Sequence, residues 1–269
     1  MDRINQQPEE QRKRTVMIGT PCYDGKIEVW HANSLVQTIK MSADLGVEIY
    51  PIWLSYDALV QRARNDIVAL MMDMGCDDLI FIDADIDWNP TDFYKLLSYP
   101  VDVVGGTYRK KGDIEEYVAK ILDPMRAKDP HTGLIETEGL GTGFLRMSRK
   151  AVQYLWDTCP QYTERGREID RRWIFDVQIK GGDLVSEDIH VCDLLREGGF
   201  PIWLDTQITC GHNGIKHFVG NFDAWFTALR NGQINQPQGQ PQQPQSISAP
   251  VPTPNFGYGT PQDIKSLYE

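Results

Sequence analysis

The 269-residue sequence contains no run approaching 18 apolar residues, so it predicts no membrane-spanning helix. Its first residues, MDRINQQPEEQRKR, lack the apolar segment of a secretory signal peptide. The five cysteines show no Cys-x-x-Cys spacing, which argues against a disulfide framework or a zinc site. Together these absences predict a cytoplasmic protein, in a compartment where thiols stay reduced.

Positive charge is also scarce, because 27 Lys and Arg residues face 38 Asp and Glu residues, a formal net charge of −11. Such a chain is a poor match for a nucleic-acid backbone or an anionic membrane. An acidic protein that binds a phosphorylated ligand needs a cation as intermediary. Hydrophobic residues nevertheless make up 41% of the sequence, enough for the core of a large α/β domain.

The most informative segment is LIFIDADIDW at 79–88. Its four leading apolar residues are typical of a strand buried on both faces. Asp83 and Asp85 follow at alternate positions, so both would point the same way where the strand leaves the sheet. Converging carboxylates favour a cation between them, and oxygen ligands suit Mg²⁺ or Mn²⁺. A solvated acidic turn is the alternative, but the place directly after a buried strand favours a metal site.

The hydrophobic pattern of the first half alternates between strand and helix periods. Gly75 supplies a helix stop, and Asn89 followed by Pro90 supplies a helix start. This alternation is typical of a parallel α/β half-domain with right-handed crossovers. The predicted strands are 15–20, 47–53, 79–82 and 101–108, and the predicted helices are 31–45, 57–74 and 90–97.

Beyond residue 108 the pattern changes to short strands of more antiparallel character. Ser186 is a favourable N-cap for a helix whose first turn contains Glu187 and Asp188, where the helix dipole favours anions. The predicted segments are strands at 117–122, 134–137, 142–147, 173–179 and 200–204, helices at 148–156 and 187–197, and a charged, mobile loop at 160–172.

Composition also divides the chain. Residues 1–13 are expected to form a disordered leader and residues 14–231 one domain. The segment 232–269 is rich in Gln and Pro and is expected to be a disordered tail, because it cannot bury enough apolar surface to order itself.

The order of these motifs resembles the GT-A glycosyltransferases, particularly the GT2-like group and the related Anp1-type mannosyltransferases. The resemblance covers residues 15–220 and implies a Rossmann-like, three-layer α/β sandwich with a mainly parallel central sheet and a smaller antiparallel part. The segments that carry it are ARN at 63–65, FIDADIDW at 81–88, GTGF at 141–144, SED at 186–188 and GGFPIWLDTQITCGH at 198–212.

The resemblance implies transfer of a sugar from a UDP- or GDP-linked donor to a hydroxyl group, such as that of a glycan. It assigns a divalent metal, Mn²⁺ or Mg²⁺, to Asp85 and His212, with His217 as a competing ligand. It assigns the general base to Asp188, with Glu187 as the other candidate. The remaining implied contacts are donor binding by Thr20, Pro21, Tyr23, Asp24, Arg64, Asn65, Asp83 and Ala84, and acceptor binding by Gly141, Thr142, Gly143 and Trp173.

The chemistry agrees with this assignment. A metal ion can stabilise the charge that develops on a diphosphate leaving group. An acceptor hydroxyl is too weakly acidic to ionise alone and needs a carboxylate within hydrogen-bond reach. One base on the face opposite the leaving group gives inversion at the anomeric carbon, and the sequence offers no second clear nucleophile for a retaining mechanism.

Two alternatives remain open. An apolar strand ending in DxD also occurs in haloacid-dehalogenase-type phosphatases, with Asp83 as nucleophile, although Asp87 stands where they have Thr or Val. A non-catalytic protein that binds a nucleotide sugar or a metal is the other alternative. A calcium-binding EF-hand does not fit, because Trp88 and Tyr94 occupy the positions of its Gly and bidentate Glu.

Overall fold

The computed structural model describes residues 12–121, 123–164 and 167–234. Most of the predicted leader and nearly all of the predicted tail lie outside these ranges. In the described part of the chain, no helix is both long enough and apolar enough to cross a membrane. The helices in these ranges are α1 (Val29–Ser42), α2 (Val60–Met74), α3 (Pro90–Ser98), α4 (Arg149–Thr158), α5 (Glu187–Glu197) and α6 (Phe222–Arg230).

Strands make up the other half of the architecture and vary from two to twelve residues in length. The strands in the same ranges are β1 (Arg14–Cys22), β2 (Val47–Ser55), β3 (Asp78–Ile82), β4 (Ile86–Asp87), β5 (Val103–Tyr108), β6 (Ala119–Lys120), β7 (Ile135–Thr137), β8 (Gly139–Leu140), β9 (Phe144–Ser148), β10 (Gln161–Glu164), β11 (Arg167–Arg172), β12 (Gln178–Lys180), β13 (Asp183–Val185), β14 (Ile202–Asn213) and β15 (His217–Phe218).

The central sheet has the strand order β2-β1-β3-β9-β5-β14-β15. Strand β1 is parallel to β2 and β3, and β5 is parallel to β14. Strand β9 lies between β3 and β5 and runs antiparallel to both. The short strands β4, β7 and β15 pair with β14 in the antiparallel sense. The predicted α/β class, with a mainly parallel central sheet and a smaller antiparallel part, is confirmed.

Alternate residues of the central strands belong to different hydrophobic clusters. In β3, Leu79 and Phe81 pack into one cluster, while Ile80 and Ile82 pack into the other. Helices α2, α4, α5 and α6 contribute to the first cluster, and α1 and α3 contribute to the second. The sheet is therefore covered on both faces, which explains why β3 reads as a continuous apolar run.

The parallel strands β1, β2, β3 and β5 end at one edge of the sheet, after Cys22, Ser55, Ile82 and Tyr108. Strand β9 runs the opposite way, so the Gly141–Gly143 segment that precedes it lies at the same edge. This is the edge at which α/β folds bind their ligands.

The largest difference from the sequence prediction lies between residues 160 and 180. The predicted mobile loop contains the hairpin β10–β11, and the predicted strand at 173–179 is limited to the short β12. The Asn65 side-chain amide explains the missing strand. Its Oδ1 accepts hydrogen bonds from the backbone N–H groups of Ile174 (3.1 Å) and Phe175 (2.8 Å), and these groups therefore need no sheet neighbour.

Helix α1 buries a polar face, which its apolar residues do not predict. Val36 and Ile39 are 50% and 40% exposed. Ser34 Oγ instead accepts a hydrogen bond from the Trp88 backbone N–H (3.1 Å), and Thr38 Oγ1 accepts one from Trp88 Nε1 (3.0 Å). The buried face of α1 is therefore selected by hydrogen bonding to the segment after β3.

Other element boundaries agree closely with the prediction or extend it. Helix α5 has the predicted bounds, and Asn89 caps α3 by accepting from the Thr91 N–H at 3.1 Å. Strand β14 continues nine residues past its predicted end to Asn213, and α6 was not predicted. The extension of β14 brings the late histidines to the same edge of the sheet as the DxD residues.

Candidate active site

Arg64 joins two motifs that are far apart in the sequence. It lies on α2 and is only 4% exposed. Its Nη2 donates to Asp83 Oδ1 at 2.8 Å, just after β3, and its Nη1 donates to Glu187 Oε1 in the first turn of α5. Burial lowers the pKa of Arg64, but the charges of Asp83 and Glu187 outweigh burial and raise it overall, so the guanidinium stays charged. The DxD and Ser-Glu-Asp motifs therefore meet at one cation.

The two acidic residues at the start of α5 have different partners. Glu187 is committed to Arg64. Asp188 Oδ1 accepts from Ser186 Oγ and from the Ile189 N–H (2.8 Å), whereas its Oδ2 accepts no hydrogen bond within the described residues. Asp188 thus has a fixed orientation and one oxygen available to a substrate proton.

Asp85 lies beside two nitrogen groups. Its Oδ2 accepts from Lys111 Nζ and lies 3.5 Å from His212 Nε2. Burial raises the pKa of Asp85, but His212 and Lys111 outweigh it and lower the pKa to about 2. The carboxylate is therefore ionised at neutral pH.

His212 is oriented for a cation at Asp85. Its Nδ1 lies 2.8 Å from the backbone carbonyl of Arg109. Since a carbonyl only accepts, Nδ1 carries the proton, and in the neutral ring the Nε2 lone pair faces Asp85. In this orientation Nε2 is available as a ligand to a cation held by Asp85.

These two residues fit the ligand set of Mg²⁺ or Mn²⁺, which in nucleotide sites use few protein ligands and complete their shell with phosphate oxygens and water. The second nitrogen of a metal-binding histidine typically donates to a carbonyl, as His212 does here. In the described ranges, no group of three His, Cys, Asp or Glu side chains is arranged to hold an ion. An ion at this place would thus depend on its ligand for most of its coordination.

A second Asp–His pair lies next to the first. His217 Nε2 lies 2.8 Å from Asp87 Oδ1, which also accepts from Asn213 Nδ2 at 2.8 Å. The His217 ring stacks on Trp30, with 5.4 Å between ring centroids. His217, the competing metal ligand in the sequence prediction, therefore lies against Asp87 and not against Asp85.

The turn that presents Asp83 and Asp85 is held by hydrogen bonds from two sides. The buried His31 ring places Nδ1 at 3.1 Å from the carbonyls of both Asp83 and Ile86. Asn213 donates to the Asp85 carbonyl through its backbone N–H (2.7 Å) and its Nδ2 (3.0 Å). Burial lowers the pKa of His31 more than the two carbonyls raise it, so this ring is neutral at pH 7. The geometry of the turn therefore depends on α1 and β14 as well as on the motif itself.

A cleft of about 760 Å³ opens beside this turn, between the ends of β1 and β3 and the start of α2. Thr20 and Asn65 are not among its lining residues; both are buried, and Asn65 is spent on the 174–175 backbone. Tyr23 is 74% exposed at the rim. The predicted site residues that line the cleft are Pro21, Tyr23, Asp24, Arg64, Asp83, Ala84 and Asp85.

The predicted acceptor residues lie elsewhere. The Gly141–Gly143 segment is buried behind the DxD turn, where the Gly143 carbonyl accepts from the Asp83 N–H at 3.3 Å. Trp173 packs edge-on against Tyr162, with 5.4 Å between ring centroids. Neither the segment nor Trp173 lines the cleft.

Tyr108 explains why this segment is rich in glycine. Its hydroxyl accepts a hydrogen bond from the Gly143 N–H at 3.2 Å, and a Cβ on Gly143 would lie 2.6 Å from that hydroxyl oxygen. The ring also lies edge-on to His212, with 5.1 Å between centroids. Burial, with a further contribution from Asp83, raises the pKa of Tyr108 well above its usual value, so the hydroxyl is protonated.

Sequence reasoning missed Tyr108, Lys111 and His31. Tyr108 had a detectable signal, since it ends a predicted strand at the ligand-binding edge. Lys111 stands in a basic turn, RKKGD, where nothing in the spacing relates it to Asp85. His31 lies on α1, whose apolar residues do not indicate which face of the helix is buried.

No protein-family model matches the sequence, and no curated protein matches it. Among solved structures, the chain is similar to the protein A197 from STIV, with a TM-score of 0.51 and 18% identity over 77% of this chain and 94% of that chain. At this level of identity, the similarity shows a common fold alone.

Two weaker similarities have TM-scores of 0.31 each. One is to a glycosyltransferase involved in the glycosylation of the major capsid of PBCV-1, with 11% identity over 52% of this chain and 62% of that chain. The other is to a Bacillus anthracis protein described as a glucose-1-phosphate thymidylyltransferase, in complex with a sucrose, with 12% identity over 55% of this chain and 76% of that chain. TM-scores of this size do not establish a common fold.

Proposed function

We propose that this chain is a metal-dependent glycosyltransferase of the GT-A type, which transfers a sugar from a nucleoside-diphosphate sugar to a hydroxyl acceptor with inversion. The observation that carries the proposal is the Arg64 bridge between Asp83 and Glu187. This bridge joins Asp83 of the DxD motif to Glu187 of the Ser-Glu-Asp motif at one edge of the sheet, beside a cleft whose volume supports a nucleotide as the ligand.

Asp188 is the proposed general base. A base must have a free lone pair within reach of the acceptor hydroxyl. The Oδ2 atom of Asp188 supports this proposal with a free lone pair, and the contacts of Oδ1 hold the carboxylate in place. Glu187 has the less suitable position, because its Oε1 is engaged in the ion pair with the buried Arg64.

Asp85 and His212 would hold the divalent ion, Mn²⁺ or Mg²⁺. The bound ion supplies Lewis-acid stabilisation of the charge on the leaving diphosphate. The protein contributes the orientation of both ligands, through the Arg109 carbonyl on His212 and the Asn213 hydrogen bonds on the DxD turn. UDP- or GDP-linked sugars are the proposed donors, and a glycan or glycoconjugate is the proposed acceptor.

A phosphatase that uses Asp83 as a nucleophile is less well supported. Such a nucleophile attacks phosphorus through a free carboxylate oxygen. Asp83 Oδ1 is occupied by Arg64, which also binds Glu187 and so holds the Asp83 carboxylate in a fixed place.

The test combines two variants with one matched control. Nucleotide release from UDP-, GDP- and CMP-linked sugars in Mn²⁺ first identifies the donor. Asp188→Asn is then expected to lower turnover by about 10²–10⁴ with donor affinity unchanged, since the base contacts only the acceptor. Asp193→Asn is the control on the same helix, because Asp193 pairs with Lys180 at the surface.

Three outcomes contradict parts of the proposal. Normal turnover in Asp188→Asn with an inactive Glu187→Gln would assign the base to Glu187. A product that retains the donor's anomeric configuration, read by NMR, would exclude a single displacement. Tight donor binding with no turnover on any acceptor would favour the non-catalytic alternative.

A further inference from the structure

Lys111 occupies the position at which a cation would contact Asp85. Its Nζ donates to Asp85 Oδ2, on the same oxygen that lies nearest to His212 Nε2. Within the described chain, Asp85 is the partner of the Lys111 ammonium. A divalent ion held between Asp85 Oδ2 and His212 Nε2 would therefore share this oxygen with Lys111 or displace it.

The structure holds the Lys111 backbone in place and leaves the side chain room to move. Neighbouring residues of its loop are fixed, since the Lys110 N–H donates to the Glu116 carbonyl at 2.8 Å. The aliphatic stem passes over Gly214, where a Cβ would lie 3.1 Å from Lys111 Cδ. The side chain is 37% exposed. An ammonium on such a stem can move by several ångströms without a change in the backbone.

The two basic residues of the described chain that line the cleft are both paired with acidic side chains. Of its lining residues in the described ranges, Lys26 pairs with Asp24 at 3.2 Å, and Arg64 pairs with Asp83 and Glu187. Acidic residues outnumber basic ones in the lining of the cleft. The acidic ones are Asp24, Glu28, Asp57, Asp83 and Asp85. Lys111 is not among the lining residues, but its contact with Asp85, which lines the cleft, places its ammonium next to the cleft. Once released from Asp85, that charge would be available to a diphosphate.

We propose that Lys111 is the resident cation of Asp85 in the free protein and moves its ammonium to the donor's diphosphate when a divalent ion takes its place. The inference rests on the proposed function, because it requires a diphosphate ligand. It gives Lys111 two roles: it competes with the metal for Asp85 in the absence of nucleotide, and it binds the anion directly in its presence.

The experiment measures Mn²⁺ binding by electron paramagnetic resonance and UDP or GDP binding by calorimetry. Lys111→Met is expected to raise the affinity of the nucleotide-free protein for MnCl₂ by up to about fivefold, because a competing surface ion pair is removed. The same variant is expected to weaken UDP or GDP binding in Mn²⁺ by about tenfold, because a charge-assisted hydrogen bond is lost. A melting curve verifies that the variant is folded.

Lys216→Met is the matched control, since Lys216 pairs with Asp113 in the adjacent loop at 3.2 Å. It is expected to change neither affinity. Equal Mn²⁺ affinity in Lys111→Met and wild type overturns the competition at Asp85, and unchanged nucleotide affinity overturns the contact with the diphosphate. A wild-type protein that binds Mn²⁺ but neither UDP nor GDP would contradict the proposed function, and the Mn²⁺ arm would still decide whether Lys111 occupies Asp85.

Discussion

Tyr108 is the side chain around which the centre of the site is packed. It contacts the glycines of the 141–143 segment, and its ring lies against His212. The hydroxyl is buried, and it is the acceptor for the Gly143 N–H. Because the Gly143 carbonyl in turn holds the Asp83 N–H, Tyr108 links the position of the DxD turn to β5.

Tyr108→Phe is therefore expected to destabilise the protein by about 1–3 kcal/mol, since it leaves a buried N–H without its acceptor. Urea unfolding followed by tryptophan fluorescence measures this change. Tyr154→Phe is the control, because the Tyr154 hydroxyl has no hydrogen bond within the described residues. An equal loss in both variants would show that the Gly143 contact contributes nothing of its own.

Residue-level prediction succeeded where the signal is local. Asp83 and Asp85 follow an apolar run that is typical of a buried strand and forms β3, and Ser186 marks the start of the helix that carries Asp188. The Arg64 bridge could not be predicted in this way. It joins residues 19 and 123 positions away from Arg64, and such contacts depend on how the elements are placed in space.

At the scale of elements, alternation of strands and helices was enough to predict the parallel part of the sheet. The antiparallel strand β9, between β3 and β5, was predicted as a strand but not at that position. Sequence periodicity says which residues alternate, but it does not say which strands become neighbours. The polar face of α1 was hidden for a similar reason, because its partner, Trp88, belongs to a distant segment.

The hairpin β10–β11 shows how a charged segment becomes ordered. Arg171 is 2% exposed, and its guanidinium donates to Asp66 on α2, with Nη2 at 3.3 Å from Asp66 Oδ2. A dense run of charges usually indicates a solvated loop, and here one member of the run is buried in an ion pair. The sequence provides no means of distinguishing this arginine from its neighbours.

Arg171→Met is expected to cost about 3–5 kcal/mol of unfolding free energy, because Asp66 then loses a buried ionic partner. Arg12→Met is the matched control, since Arg12 pairs with Asp77 at 2.8 Å but is 73% exposed. The control is expected to cost less than about 1 kcal/mol. Chemical denaturation of both variants gives the comparison, and a cost below that of Arg12→Met would contradict an anchoring role for Arg171.

At the scale of the whole molecule, charge sets the conditions for ligand binding. The chain carries a formal net charge of −11, and acidic residues outnumber basic ones in the lining of its cleft. A nucleoside diphosphate therefore approaches against an unfavourable field unless cations are present. If the proposed function holds, the metal and the nucleotide would bind together. The metal would offset the negative charge of the cleft, and the diphosphate would complete the coordination of the metal.

UDP or GDP together with Mn²⁺ is accordingly expected to stabilise the wild-type protein far more than either component alone. A ligand at 100 times its dissociation constant adds about 2.7 kcal/mol to the unfolding free energy. For a domain of this size, that increase corresponds to a rise in Tm of about 5–11 °C. Thermal-shift curves with each component, with both, and with both plus EDTA measure the effect, and EDTA is expected to abolish it.

Asp85→Ala is expected to remove the joint stabilisation while it retains a cooperative melting curve. An unchanged joint shift in that variant would place the cation away from Asp85, whereas equal shifts with and without Mn²⁺ would show that the chain binds nucleotides through its own cations.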